Sequence, residues 1–326
     1  MSPSELSQRQ QHERQLIEDY RLTQVQSAVQ ETHDYTQTHY GEDSVEHAQS
    51  LINLGNWHEY SGDYAASETL LKQAVQIFRR HNTTGSLNAE LADALHQLGG
   101  TYAKLARFEE AKNIHEEALA LYQTFTNGEC DKKIPLLLND LASDCMNIEQ
   151  PEKALELYEQ SAAQHEQLFG MAHRDTALAY TNLAVVYRGQ GHRTEALSIL
   201  KSTTQTLQDL LGDHPRTVFA WTELAVSHDE MQQYEEAAKI YSQAMQMLLR
   251  CVSEDHPIRA HILFCQARHY AQQHQFQAAL PLLHQALMIV MNVFDENHPA
   301  LRSIIQHIVT LTLMQEQDLD FLDTED

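Results

Sequence analysis

Twenty of the 326 residues are histidine and forty-six are aspartate or glutamate. Those side chains build metal sites and general acid–base pairs when their spacing is right. Here the spacings argue for neither. His12-Glu13 and His165-Glu166 each lack the second histidine that an HExxH zinc helix places one turn on. His214-Pro215, His256-Pro257 and His298-Pro299 recur every 42 residues. In a repeating chain they lie too far apart to share one ion, and a proline after each histidine marks a helix start. His173-Arg174 stands one register earlier. The residues preceding these starts, Asp213, Asp255 and Asn297 among them, are expected to cap the helices. His269 and His274 fall on different sides of a turn. Glu109-Glu110 and Glu235-Glu236 open helices, where they suit the positive end of the helix dipole. Gly189-Gln190-Gly191 sits between two helical stretches, and no GxSxG, Walker or GxGxxG motif occurs. Four cysteines, Cys130, Cys145, Cys251 and Cys265, are separated by gaps of 14, 105 and 13 and form no CxxC. They read as small apolar residues, not as a disulfide or metal framework. The sequence predicts no catalytic centre, no metal and no cofactor, and so not an enzyme.

The elements that carry these residues repeat. Residues 177–215 show an apolar helical pattern to Tyr187, then a polar break with Gly189 and Gly191. A second helical pattern follows to Leu211, and Gly212-Asp213-His214-Pro215 stops it. Aligned on a small residue of the second helix, the units give Ser67, Ala111, Ala154, Ala196, Ala237 and Ala279, in steps of 44, 43, 42, 41 and 42. Twelve residues earlier stand Gly55, Gly99, Ala142, Ala184, Ala225 and Ala267, all small. Two small columns mean that the helices of each hairpin cross closely at one shared point. Leu54, Leu98, Leu141, Leu183 and Leu224 precede the second column, with Gln266 as the departure. The repeats predict helix pairs at about 43–60 and 63–80, 86–104 and 107–125, 132–147 and 151–168, 173–188 and 192–211, 215–230 and 233–251, and 257–272 and 275–294. A single helix at about 299–316 closes the stack. Residues 1–41 form an N-terminal helical extension of one helix or two, with Leu16, Tyr20, Val25 and Val29 as its apolar stripe. Residues 42–316 form the solenoid with its capping helix, and 317–326 an acidic tail.

Lysine plus arginine number 22, so the formal charge is −24. That disfavours nucleic acid, whose partners cluster cations to displace counterions, and anionic membrane surfaces. The longest apolar stretches, such as 280–293, are interrupted by Pro281, His284, Gln285 and Asn292, and membrane insertion is not expected. Residues 1–15 show no apolar core of a secretory signal, so a cytoplasmic location is expected, with delivery as an effector the alternative.

These columns resemble the tetratricopeptide repeat. The first unit shows Leu54-Gly55, Gly62-Asp63-Tyr64, Leu71 and Ala74, with His58 and Ser67 departing from the pattern. The fourth shows Leu183-Ala184, Tyr187, Gly191, Ala196 and Leu200. The 42-residue period and Gly-Asp-His-Pro linkers are similar to the longer, kinesin-light-chain type. The resemblance covers 43–316. It implies an all-α solenoid, a right-handed superhelix whose first helices line a concave groove that holds a peptide or helix of another protein. The acidity argues against the tryptophan-acidic cargo peptides of kinesin light chains.

By the helical period, first-helix positions on the groove side include Asn53 and Asn56, His96, Asn139 and Asp140, Asn182 and Arg188, Phe219 and Val226, and His261, Phe264 and Arg268. The amides could hold an extended backbone. Phe219, Val226 and Phe264 form an apolar strip flanked by Arg188 and Arg268, an aromatic–arginine mixture typical of recognition hot spots. The expected role is an adaptor. The alternatives are a self-associating module, or a regulatory protein whose groove is closed by its own N-terminal helix or acidic tail.

Overall fold

Each of the six repeat hairpins turns at one residue of left-handed backbone, and that residue repeats with the columns: Gly62, Ala106, Glu149, Gly191, Gln232 and His274, all with φ between 57° and 91°. The next amide reaches back five residues, as in Asp63 N to His58 O at 2.8 Å and Gln233 N to His228 O at 2.9 Å. This closure satisfies the orphan carbonyls at a helix C-terminus and sends the chain straight into the second helix.

The computed structural model describes residues 1–18, 21–125, 132–254, 256–294 and 298–323, and of 125 and 317–323 the backbone alone. Tyr20, Cys130, Asp255, Asn297 and the last three residues of the tail therefore lie outside the described residues. The described chain is helical, without strands among the described residues, and falls into two compact units, Met1–Leu168 and Phe169–Asp326.

In the first unit, α1 (Pro3–Glu18) and α2 (Leu22–Tyr40) form an extra hairpin. Then follow α3 (Val45–Tyr60) with α4 (Tyr64–His81), α5 (Asn88–Lys104) with α6 (Phe108–Phe125), and α7 (Lys133–Asn147) with α8 (Pro151–Phe169). Both α1 and α2 pack on α3. The sequence left open one helix or two there, because residues 19–21 include no glycine or proline to mark a break. The core of the unit runs through Leu51, Leu71, Phe78, Leu95, Ala111 and Tyr122, all at most 1% exposed. Ser161 Oγ donates to Pro135 O at 2.6 Å and ties α8 to α7.

In the second unit, α9 (Arg174–Gly189) pairs with α10 (Arg193–Leu211), α11 (Pro215–Glu230) with α12 (Tyr234–Cys251), and α13 (Pro257–Gln272) with α14 (Phe276–Val293). The last helix, α15 (Pro299–Asp323), packs on α14 and continues through seven residues expected to be tail. On length and composition α14 is apolar enough to cross a membrane, which the sequence reading did not expect. Within the unit it serves as a second helix, with Ala279, Leu283, Ala286, Ile289 and Val290 buried.

The linker histidines are themselves the caps. Nδ1 of His173, His214, His256 and His298 accepts from the amide two residues on, at 3.0–3.2 Å. The acidic residue before them was expected to do this. Instead Asp213 pairs with Arg250 of α12, the second helix of the hairpin that follows it, at 2.5 Å. An imidazole nitrogen here substitutes for the usual serine or aspartate oxygen.

Candidate binding face

The first helices carry the expected site residues, and the structure sorts them by what already occupies them. In the first unit, Asn53 and Asn56 are 0% and 7% exposed. Asn53 Nδ2 donates to Gln10 O at 2.8 Å and to Glu13 at 3.2 Å, both on α1. Glu13 also bonds Thr32 and Arg9, and burial still pushes its carboxyl above the usual range. This corrects the expectation for the two asparagines: α1 covers α3 as the neighbouring repeat would, so Asn53 braces the extension and Asn56 is buried on the same helix. Arg14 of α1 lies 3.6 Å from Asp93 of α5.

Farther along the unit the polar residues converge. His96 of α5 meets Asp140 of α7 at 2.7 Å, and Asn139 lies half-buried beside it. Burial would raise the Asp140 carboxyl, but the His96 hydrogen bond and charge outweigh it and hold it at about 2. Behind them His115 of α6, fully buried, bonds Asp144 of α7 at 2.6 Å. The sequence reading missed this pair. The available signal was the column in which His115 sits: its counterparts one repeat apart are Leu71, Tyr158, Leu200, Tyr241 and Leu283.

In the second unit the expected strip is partly a brace. Arg188 does not stand free at its edge. It donates to Glu223 at 2.7 Å and to Ser227 at 3.2 Å, and lies 3.3 Å from Glu230. His261 approaches the other Glu223 oxygen at 3.6 Å. Burial acts to raise the Glu223 carboxyl, and His261 and Arg188 more than offset it, leaving it below its ordinary value. This network ties α9, α11 and α13 side by side. Nε2 of His261 faces both Cys265, at 3.9 Å, and Glu223. A nucleophile–base relay needs its two partners on opposite ring nitrogens, so this trio is not arranged as one. What remains accessible is Asn182, Phe219, Val226 and Phe264, each part-exposed, and Arg268, which is exposed and makes no ion pair among the described residues. Phe264 also packs edge-on against His307 of α15, with ring centroids 4.8 Å apart. An open cleft of about 400 Å³ lies elsewhere, between α2, α3 and α4, lined by His33, His47, Leu51, Gln73 and Arg80.

Sequence models of the tetratricopeptide repeat match residues 134–209 and 217–289, and further ones match 47–82 and 91–124. A curated relative, the protein named kinesin light chain-related 3 of Arabidopsis thaliana, is 24% identical over 165 residues. That stretch is 51% of this chain and 25% of the relative, so the match spans a quarter of the relative's length. Among solved structures, a Rap protein complexed with competence and sporulation factor has a TM-score of 0.53 at 14% identity, over 96% of this chain and 99% of that one. NprR in complex with its cognate peptide NprX has a TM-score of 0.60 at 12% identity, over 95% of this chain and 79% of NprR. At those identities the likeness is one of fold.

Proposed function

The chain belongs to the tetratricopeptide-repeat family, and from that premise we propose that it is an adaptor whose second unit holds a peptide or helix of a partner protein on its first-helix face. The family and fold are those of protein-interaction scaffolds. One observation carries the narrower reading. The ion network Arg188–Glu223–His261 fixes three successive first helices, while Phe219, Val226, Phe264 and Arg268 on the same helices stay accessible. A rigid aromatic surface with a guanidinium that makes no ion pair among the described residues meets the two requirements of a recognition site, low ordering entropy and a desolvated anchor.

The test is affinity capture from a native-source lysate, comparing the intact chain with Phe219→Ala/Arg268→Glu. This pair spares the Phe264 contact to α15. Partners recovered by the intact chain alone, with helicity unchanged, support the reading. An identical set from both overturns it.

A second reading has its own observation. Ile305, Val309 and Leu313 on α15 and Met288 and Met291 on α14 are 46–61% exposed. A face of that kind fits a second copy of this chain. Sedimentation over a concentration series tests it: Val309→Asp/Leu313→Asp must abolish any association seen, and a constant monomer mass rules the reading out.

A further inference from the structure

Five of the six repeats bury a leucine or tyrosine where the second helix crosses the small column of the first. Leu71, Tyr158, Leu200, Tyr241 and Leu283 are at most 6% exposed. The sixth buries His115, 0% exposed, and opposite it stands Gly99. A Cβ on Gly99 would lie 2.4 Å from the imidazole, so the glycine makes room for the ring. Burying an imidazole and a carboxylate where leucine would do brings a desolvation penalty and no packing gain. That substitution asks for a ligand.

The neighbours supply one. One ring nitrogen each from His96 and His115 and one Asp140 oxygen lie within 4.8 Å of one another. The three residues come from α5, α6 and α7. His115 Nδ1 meets Asp144 Oδ2 at 2.6 Å. Histidine ligands donate their second ring N–H to a carboxylate, which fixes the tautomer and leaves the other nitrogen for the metal; His115 Nε2 otherwise approaches His96 O at 3.3 Å, a long contact that the ion displaces. Asp144 is one turn beyond Asp140 on the same face of α7 and is 1% exposed. Its Oδ1 is a buried oxygen with no hydrogen-bond partner among the described residues. An orphaned buried carboxylate oxygen beside two histidines is an independent sign that a cation belongs there.

We propose that His96, His115 and Asp140, with Asp144 orienting His115, form a Zn²⁺ site on the first-helix face of the N-terminal unit. Two imidazoles and a carboxylate suit zinc and not Mg²⁺ or Ca²⁺, which take oxygen. The ion replaces the direct His96–Asp140 hydrogen bond, and the Asp140 side chain, 43% exposed against 12% for His96, admits it from the first-helix face. Tetrahedral zinc at about 2.0–2.1 Å from each ligand draws the three together. It clamps three helices of one unit, as the Arg188 network clamps three helices of the other. Spacing alone could not show the site, because its ligands lie 19 and 25 residues apart on separate helices.

The experiment is titration of the full chain, stripped with a chelator, with ZnCl₂ by calorimetry, and with CoCl₂ by visible absorption, where tetrahedral Co²⁺ absorbs far more strongly than the aqua ion. The expected result is one tight ion per chain, lost in His115→Leu. That variant carries the residue of three other repeats at this position and so retains the fold. Asp144→Asn is expected to weaken binding by about 10- to 100-fold while keeping one-to-one stoichiometry, the mark of a positioning residue. His96→Gln, at a position less deeply buried than His115, is the second variant should His115→Leu unfold. His12→Gln, remote in sequence, is expected to change nothing. Zinc uptake equal in the intact chain and in His96→Gln means that surface histidines hold it, and overturns the proposal. So does the lack of any tight site.

Discussion

The two units bury acids on the same scaffold but balance them differently. In the second unit each buried carboxylate oxygen has a partner: Asp229 Oδ1 meets His269 at 2.6 Å and its Oδ2 meets Tyr241 at 3.0 Å, while Glu223 meets Arg188 and His261. In the first unit His96 and His115 stand against Asp140 and Asp144, no arginine joins them among the described residues, and Asp144 Oδ1 is left over. One unit is electrostatically closed and the other is short of positive charge. The repeat fixes where side chains are presented and leaves open whether they complete each other, so function has room to enter where they do not.

Breaking the closed unit produces the largest effect. Arg188→Leu leaves Glu223 in a nearly dry site, with side chains 11% and 7% exposed. Removing one member of a buried pair costs about 3–5 kcal/mol; His261 remains, so about 3 kcal/mol is expected in urea unfolding. Arg188→Leu/Glu223→Leu should recover most of that, and a loss below about 1 kcal/mol in the single variant would show the pair to be idle. The same carboxylate sets a pH dependence. Its folded value lies below its ordinary 4.5, so its stabilisation is fully present above pH 4.5 and lost as pH falls through the folded value. Melting temperatures should fall on acidification through that window, and Glu223→Gln should flatten the fall.

The next effect tests the open unit. Gly99→Ala forces the His115 ring to move and costs about 1–3 kcal/mol, as overpacked cores do. Adding His115→Leu should return most of it, because Ala184 with Leu200 and Ala267 with Leu283 already pair alanine with leucine at this crossing. Equal stabilities for Gly99→Ala with and without His115→Leu would disconnect the glycine from the histidine.

Capping gives a smaller contrast. His214→Ala removes a side-chain acceptor and should cost about 1 kcal/mol, while His214→Asn keeps an acceptor and should cost little. In the first unit Leu87 and Lys132 precede α5 and α7 and offer no side-chain cap. Alanine at Lys132 should therefore be near neutral in the same melts.

What could be read from sequence was whatever depends on local period. The small columns and the helix pairs follow from it, since a leucine face and a glycine or alanine crossing constrain residue type one position at a time. The site residues depended on pairs 29–43 residues apart, such as His115 with Asp144, Arg188 with Glu223 and Asn53 with Gln10. No periodic pattern encodes those. Arg188 looked available because its partner is one repeat away. Asn53 looked exposed because α1 had no repeat signature to mark it as a neighbour. The histidine caps were misassigned for a different reason: Nδ1 sits where an aspartate oxygen would, and composition rules count only the oxygen.

The smallest predicted effect is a gain, and it compares the units turn by turn. Two of the six hairpin turns place glycine at the left-handed position, Gly62 in the first unit and Gly191 in the second. Ala106, Glu149, Gln232 and His274 adopt the same conformation with a Cβ. That conformation strains an L-residue by about 1–2 kcal/mol. Glycine relieves the strain but gains about 0.4–1 kcal/mol of freedom in the unfolded chain. The difference leaves Ala106→Gly and Gln232→Gly each more stable by about 0.5–1 kcal/mol. The two gains should match, because the back-reaching hydrogen bonds, Arg107 N to Tyr102 O and Gln233 N to His228 O, are both 2.9 Å. Gly191→Ala should lose a similar amount. Chemical denaturation of the three variants checks this. A gain in one unit with a loss in the other would mean that the turns, alike in backbone, are held by their surroundings and not by their own conformation.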